Sequence, residues 1–324
     1  MFLYAKGVAG NVLTKEDSDS ADELPKLREE DREEPTDPHE TDVKVVEFSR
    51  RTQSFVLAMV APAQAYRISP TRSQYASLGF AEEHFIENFI ENFIDHARKS
   101  GIPRDKRTLH LLLHSPGGLE SSSFVISKCL RKNFGKVVTY VPHIAASGAT
   151  VIALPSDEIV MGEISRLSPI DVQLYGPDGV RSALSVIRGV ELMNRKYART
   201  RAEDIPYPDR VLIESVDLPT WDDMRCSLLL AERYAKTLLK LGGFQDKVIP
   251  DIARTLVYGY HEHETVIDLD EARKIGLRAT PVSDRVERWS LMRKLYSKYL
   301  FEESPYHHVR FALPNEQKSK RKAG

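Results

Sequence analysis

The chain of 324 residues is short of several things. It has two cysteines, Cys129 and Cys226, too few for a disulfide framework and in keeping with a reducing compartment. No apolar run approaches the ~18 residues that cross a bilayer. Met1 to Leu13 lacks both the basic start and the apolar stretch of a secretory signal. A cytoplasmic chain without a transmembrane segment is the expectation. The net charge of −1 supplies no global field that would draw nucleic acid. Histidine is absent between His143 and His261. Gly-x-Ser-x-Gly does not occur around Ser147, because Ala145 and Ala149 stand where the glycines would be, which argues against an α/β-hydrolase. His261-Glu262-His263-Glu264 has two histidines at strand spacing but no evident third ligand, so no metal and no cofactor are expected.

The near-neutral total hides an asymmetry. Residues 14–42 hold 13 acidic and 4 basic side chains, which leaves the rest at +8. This segment carries Pro25, Pro35 and Pro38 and few apolar groups. It buries too little to offset the entropy of ordering and is expected to be disordered. Lys318, Lys320, Arg321 and Lys322 form a basic tail, read as a solvated end. The 41% of hydrophobic residues in the whole chain suffices for one large core.

Two short runs carry chemistry. Leu109-His110-Leu111-Leu112-Leu113 is followed by His114-Ser115-Pro116-Gly117-Gly118, and Val137-Val138-Thr139-Tyr140-Val141 by Ala145-Ala146-Ser147-Gly148-Ala149-Thr150. Each reads as a buried strand turning into a helix. The intervening residues 120–132 have a helical pattern with Phe124, Val125, Cys129 and Leu130 inward. Strand, helix and strand of this length make a right-handed crossover, so the two turns share one carboxyl edge, where open α/β sheets bind ligands. There a serine nucleophile, Ser147, would face glycine amides at Gly117, Gly118 and Gly148 that no side chain obstructs. Upstream, residues 81–99 are the clearest helix, with Phe85, Ile86, Phe89, Ile90, Phe93, Ile94 and Ala97 on one side and Gly101 and Pro103 ending it. Further helices are expected at 183–202, 221–241, 248–258, 268–275 and 285–300.

Ser115-Pro116-Gly117-Gly118, Ala146-Ser147-Gly148-Ala149 and Ser156-Asp157-Glu158-Ile159-Val160-Met161 resemble the Clp protease/crotonase superfamily. Within it the chain is most similar to the serine dehydrogenase proteinase family, relatives of signal peptide peptidase A. Ser168-Pro169-Ile170-Asp171-Val172-Gln173-Leu174 and Asp270-Glu271-Ala272-Arg273-Lys274-Ile275-Gly276-Leu277 resemble further family segments, and His263-Glu264 is similar to a His-Asp pair of that branch. The resemblance spans roughly residues 75–282. It implies an α/β fold with repeated β-β-α units, a parallel sheet and flanking helices. Residues 1–42 would precede a catalytic domain at 43–283, and 284–324 would form a C-terminal helix and tail. It also implies a serine peptidase that acts on peptide or protein substrates and self-associates as a homo-oligomer.

The general base stays open. His263 is one candidate, oriented by Glu264 or another carboxylate. Lys196, as in signal peptide peptidase relatives, is another and would need desolvation. Asp171 lies near the place where Clp-type proteases carry their histidine, and is read as an orienting group or a turn cap. His114 and Leu119, which flank the glycine turn, are candidate substrate contacts. Two other classes remain: a crotonase-like acyl-CoA enzyme whose amides stabilise an enolate without a nucleophile, and a non-catalytic assembly scaffold of the same fold.

Overall fold

The structure is a computed structural model and describes residues 38–63, 77–176, 179–302, 304 and 306–314. Helix α1 (Pro38–Thr52) leads into strand β1 (Phe55–Val60), and α2 (Phe80–Ser100) into β2 (Thr108–His114). Next come α3 (Glu120–Asn133), β3 (Lys136–Val141), the two-residue β4 (Ile144–Ala145), α4 (Gly148–Ala153), β5 (Glu158–Met161) and the two-residue β6 (Arg166–Leu167). A hairpin of β7 (Gln173–Gly176) and β8 (Gly179–Ser182) precedes helices α5 (Ala183–Tyr197), α6 (Tyr207–Glu214), α7 (Leu218–Leu241), α8 (Ile249–Tyr258) and α9 (Leu269–Ile275). The described chain closes with β9 (Ala279–Pro281), α10 (Val286–Leu300) and β10 (His308–Ala312).

Six strands form one sheet in the order β10-β1-β2-β3-β5-β9. Every pairing is parallel except that of β10 with β1. Parallel strands are covered on both faces, which is why their sequences are apolar throughout. In β1, Phe55, Leu57 and Met59 face one core and Val56, Ala58 and Val60 the other. The first core is covered by α2, α3, α4, α7 and α8, the second by α1 and α10. Strands β3 and β5 are each followed by a short strand, and these two, β4 and β6, pair in parallel as a second layer. That is the repeated β-β-α arrangement, and the crossover from β2 to β3 is parallel as expected.

Helix α2 buries Ile86, Phe89, Ile90, Phe93 and Ala97 and leaves Phe85 and Ile94 exposed. Each such burial is worth about 1.5–3 kcal/mol for a large side chain. Gly101 ends the helix in the left-handed conformation, φ 62°. Helix α3 departs from the expected inner face. It buries Ser122, Ser123, Ile126, Ser127 and Leu130, while Val125 points to solvent and Phe124 stacks on Tyr234 of α7 at 4.0 Å. Serine is inside because α4 lies close: Ser127 Oγ bonds the Val151 and Ile152 carbonyls at 3.3 and 3.2 Å, near the end of a six-residue helix.

Helix α1 begins at Pro38, inside the segment read as disordered; the rest of that segment and the basic tail lie outside the described residues. After residue 283, α10 packs on the sheet through Met292, Leu295, Tyr296 and Tyr299, and β10 pairs with β1. Among the described residues no helix is long and apolar enough to cross a membrane, and no group of three metal-ligating side chains comes together.

Candidate active site

The turn between β4 and α4 is strained. Ser147 has φ 50° and ψ −118°, a region L-residues avoid, at a cost of about 1–3 kcal/mol. Neighbouring bonds hold it there. Ser147 N–H donates to Ser168 Oγ at 2.7 Å, and Thr150 Oγ1 donates to the carbonyls of Ala145 and Ser168 at 2.8 and 3.1 Å. The first N–H groups of α4 have no partners within the helix.

The glycine turn lies against this serine. A Cβ on Gly117 would stand 2.8 Å from Ser147 Cβ and 2.7 Å from the Ala146 carbonyl, and one on Gly148 would stand 2.3 Å from Ser123 Oγ and 3.2 Å from Gly118 N. Gly117 and Gly118 have φ of 104° and 155°. The three amides of the turn have different fates. Gly117 N–H donates to Ser115 Oγ at 3.0 Å and Leu119 N–H to the Leu78 carbonyl at 2.8 Å. Gly118 N–H takes no acceptor among the described residues, and it is the one beside Gly148.

His263 and Asp171, 92 residues apart, are bonded at 2.7 Å between Nδ1 and Oδ1. The two segments that carry them are joined by one isolated antiparallel bridge, where Leu167 N–H and Ile267 N–H each donate to the other's carbonyl, at 2.9 and 3.1 Å. The segment from Leu167 to Asp171 anchors the Ser147 turn through Ser168 and the histidine through Asp171. Burial opposes the charge of Asp171, but bonds from His263 and Ser182 and the His263 charge outweigh it and hold the carboxyl below its usual range. Ser182 Oγ and Gln173 Nε2 donate to Oδ2 at 2.9 and 3.2 Å. A charged Asp171 keeps the proton on His263 Nδ1 and leaves Nε2 as an acceptor. Glu264 is exposed, so the carboxylate that orients His263 is Asp171.

Other candidates are not brought here. Lys196, in the last turn of α5, is half exposed and ion-paired with Asp209 at 2.7 Å. Its bonds with Asp209 and Tyr197 raise its pKa, the opposite of what a neutral lysine base requires. His114 points to the α10 face of the sheet, away from α4: it packs edge-on against Tyr296 at 4.8 Å and stacks on His143 at 5.9 Å. Burial first, and the charges of His143 and His307 after it, push its pKa down to about 3, so it is a neutral packing group. Leu119 is exposed beside the turn, but it starts α3 rather than continuing a strand, and its N–H is already held by Leu78. Sequence reasoning gave no role to Ser182, and to Ser115 and Ser168 none beyond their place in motifs; the partners of small polar residues at turns are not visible in the sequence.

The chain belongs to the ClpP-like SDH-type serine proteinase family, whose model matches residues 86–323. Among curated proteins it is 30% identical over 175 residues to uncharacterized protein MJ0137 of Methanocaldococcus jannaschii, covering 54% of each chain. It is 27% identical over 169 residues to uncharacterized protein MJ1495 of the same organism, covering 52% of this chain and 51% of that one. The chain thus spans about half the length of the curated relatives it matches. Among solved structures it is similar to a lysine-to-alanine variant of the 1510-N membrane-bound stomatin-specific protease with a substrate peptide. That match has 17% identity and a TM-score of 0.40, and covers 66% of this chain and 74% of that one. A serine-to-alanine variant of the same protease gives 16% identity and a TM-score of 0.40, covering 71% and 91%.

Proposed function

We propose that this member of the ClpP-like SDH-type serine proteinase family is a serine peptidase in which Ser147 is the nucleophile, His263 the base and Asp171 the group that orients it. The observation that carries the reading is the 2.7 Å bond between His263 and Asp171, on the same segment that anchors the strained Ser147 turn through Ser168. A serine hydroxyl needs such a base, and Nε2 of a histidine fixed through Nδ1 is the atom that serves.

In this reading Ser147 Oγ attacks the carbonyl carbon of the scissile amide and passes its proton to His263 Nε2. The oxygen of the tetrahedral intermediate receives the N–H groups of Gly118 and Gly148. His263 returns the proton to the amine as the C–N bond breaks, and water then enters by the same route to release the acyl group. Gly117 shapes the wall, because its own N–H is engaged by Ser115. Peptide or protein is the substrate class, and Leu119 and Phe80, both exposed beside the turn, offer apolar contact to it. Homo-oligomer formation belongs to the same reading, with the apolar side chains exposed on α6 and at the start of α7, Tyr207, Leu212 and Leu218, as surface for it.

The test is covalent labelling by a fluorophosphonate with the labelled residue located by mass spectrometry. Labelling of Ser147 in the wild type and its absence in His263→Ala supports the assignment. An unlabelled wild-type protein that nevertheless binds an acyl-CoA would favour the crotonase-like reading, which needs the two amides and no nucleophile.

A further inference from the structure

A second serine, histidine and carboxylate lie in a row beside the glycine turn. His307 Nε2 is 2.8 Å from Ser115 Oγ, and His307 Nδ1 is 3.1 Å from Glu82 Oε1. All three residues are buried, with no exposure of the His307 side chain, so no substrate reaches Ser115. Its hydroxyl is also occupied on both sides, since it receives Gly117 N–H at 3.0 Å. Glu82 is occupied likewise: Oε2 accepts Gly79 N–H at 2.9 Å.

We propose that Glu82, His307 and Ser115 are positioning residues that set the glycine turn, so that Gly118 N–H, and not Gly117 N–H, faces the nucleophile. The idea rests on the peptidase reading of Ser147. Leu78 pairs with Gly118, with bonds from Leu78 N–H to the Gly117 carbonyl and from Leu119 N–H to the Leu78 carbonyl, both 2.8 Å. The buried row grips both sides of this pair, through Gly117 on one strand and through Gly79 on the other. Its proton order follows from charge. Burial works against an ionised Glu82, but the bond and charge of His307 and the Gly79 N–H outweigh that and hold it below the usual carboxylate range. A carboxylate at Oε1 keeps the His307 proton on Nδ1. Nε2 then accepts from Ser115 O–H, which turns a Ser115 lone pair to Gly117 N–H. If Ser115 Oγ is removed, Gly117 N–H loses its acceptor and the peptide is free to rotate toward the site. His307 comes from the residue before β10, which is held on β1 with Val60 opposite His308. The last strand thereby reaches the turn that follows β2, two strands away in the sheet.

The experiment compares the full-length wild type with Ser115→Ala and Glu82→Gln. Fluorophosphonate labelling is followed against probe concentration, and amide exchange of Gly117 by NMR. Ser115→Ala is expected to slow labelling at saturating probe about 10- to 100-fold, with the half-saturating concentration within about 3-fold, on the scale of a misplaced oxyanion donor. Gly117 exchange should rise about tenfold or more. Glu82→Gln should shift both in the same direction by less, and it supplies the readings if Ser115→Ala does not fold. Wild-type labelling rates in both variants overturn the proposal, as does unchanged Gly117 exchange. If the wild-type protein itself is not labelled at Ser147, the peptidase reading fails and catalytic positioning with it, while Gly117 exchange alone decides whether the row holds the turn.

Discussion

The molecule holds two histidine–carboxylate pairs of the same kind. His263 with Asp171 and His307 with Glu82 use the same atoms, Nδ1 against a carboxylate oxygen, at 2.7 and 3.1 Å. In both pairs burial opposes the carboxylate charge and the histidine outweighs it. What separates them is access. The His263 side chain is 24% exposed and that of His307 0%. Bond geometry alone would nominate both rows as catalytic; exposure and strain choose between them. Ser147 sits at φ 50° next to solvent, while Ser115 follows β2 with its hydroxyl engaged twice. A reactive group must keep an unfilled position, and a supporting group is useful because it has none.

The largest effect should come from Ser147. Ser147→Ala is expected to abolish labelling and to lower peptide hydrolysis by roughly 10^5-fold or more, as loss of a nucleophile does, while the thermal midpoint stays within a few degrees. Hydrolysis by Ser147→Ala at no less than a tenth of the wild-type rate would place the nucleophile elsewhere and dissolve the contrast with Ser115.

Next in size is the carboxylate. Asp171→Asn should lower turnover by roughly 10^3- to 10^4-fold, because the amide no longer fixes the proton on Nδ1 of His263. It also carries a stability signature whose sign is set by the lowered pKa of Asp171. A carboxyl depressed in the folded state contributes stability that is complete above its unfolded value of 3.8 and is lost as pH falls through the folded value. Denaturation midpoints of wild type and Asp171→Asn should therefore differ most near neutrality and converge below about pH 4. A gap that stays constant down to pH 2 would mean that the carboxylate charge is not what the fold uses.

A smaller effect tests the wall that the two rows share. In Gly148→Ala the new methyl would meet Ser123 Oγ at 2.3 Å and stand 3.2 Å from Gly118 N. Ser123→Ala removes the first clash and leaves the second. The double variant is expected to regain most of the stability lost by Gly148→Ala, read from thermal midpoints, and to keep turnover about 100-fold down, on the scale of one blocked donor. Full recovery of turnover would show that Gly148 matters for packing against α3 and not for the amide pair.

What was legible in the sequence followed from local pattern. The apolar runs 109–113 and 137–141 announced parallel strands, and the four-residue repeat of phenylalanine and isoleucine announced α2. The serine face of α3 was not legible, since its cause is the close approach of α4. The histidine pairs were not legible either. Asp171 meets His263 on segments joined by the bridge between Leu167 and Ile267, and His307 meets Ser115 because β10 returns to the sheet edge. Those placements depend on the register of segments about a hundred residues or more apart, which no local pattern encodes.

The smallest expected effect is at Lys196, which the resemblance to signal peptide peptidase relatives offered as a rival to His263. Its ammonium makes a 2.7 Å ion pair with Asp209 on α6 and stands 53% exposed. The pairing raises its pKa, with the bond from Asp209 the first cause and that from Tyr197 the second, so at neutral pH it carries a proton it has no tendency to give up. A base must do the reverse, and neutral lysines arise by burial away from carboxylates. Lys196→Ala is accordingly expected to leave the labelling rate of Ser147 within about threefold of wild type, and loss of so exposed an ion pair should barely change stability. The rate is measured from pH 5 to 10 in parallel with His263→Ala. Abolished labelling in Lys196→Ala beside normal labelling in His263→Ala would reverse the assignment. It would require α5 to move so that Lys196 leaves Asp209, and the exposed histidine pair would then be as purely structural as the buried one.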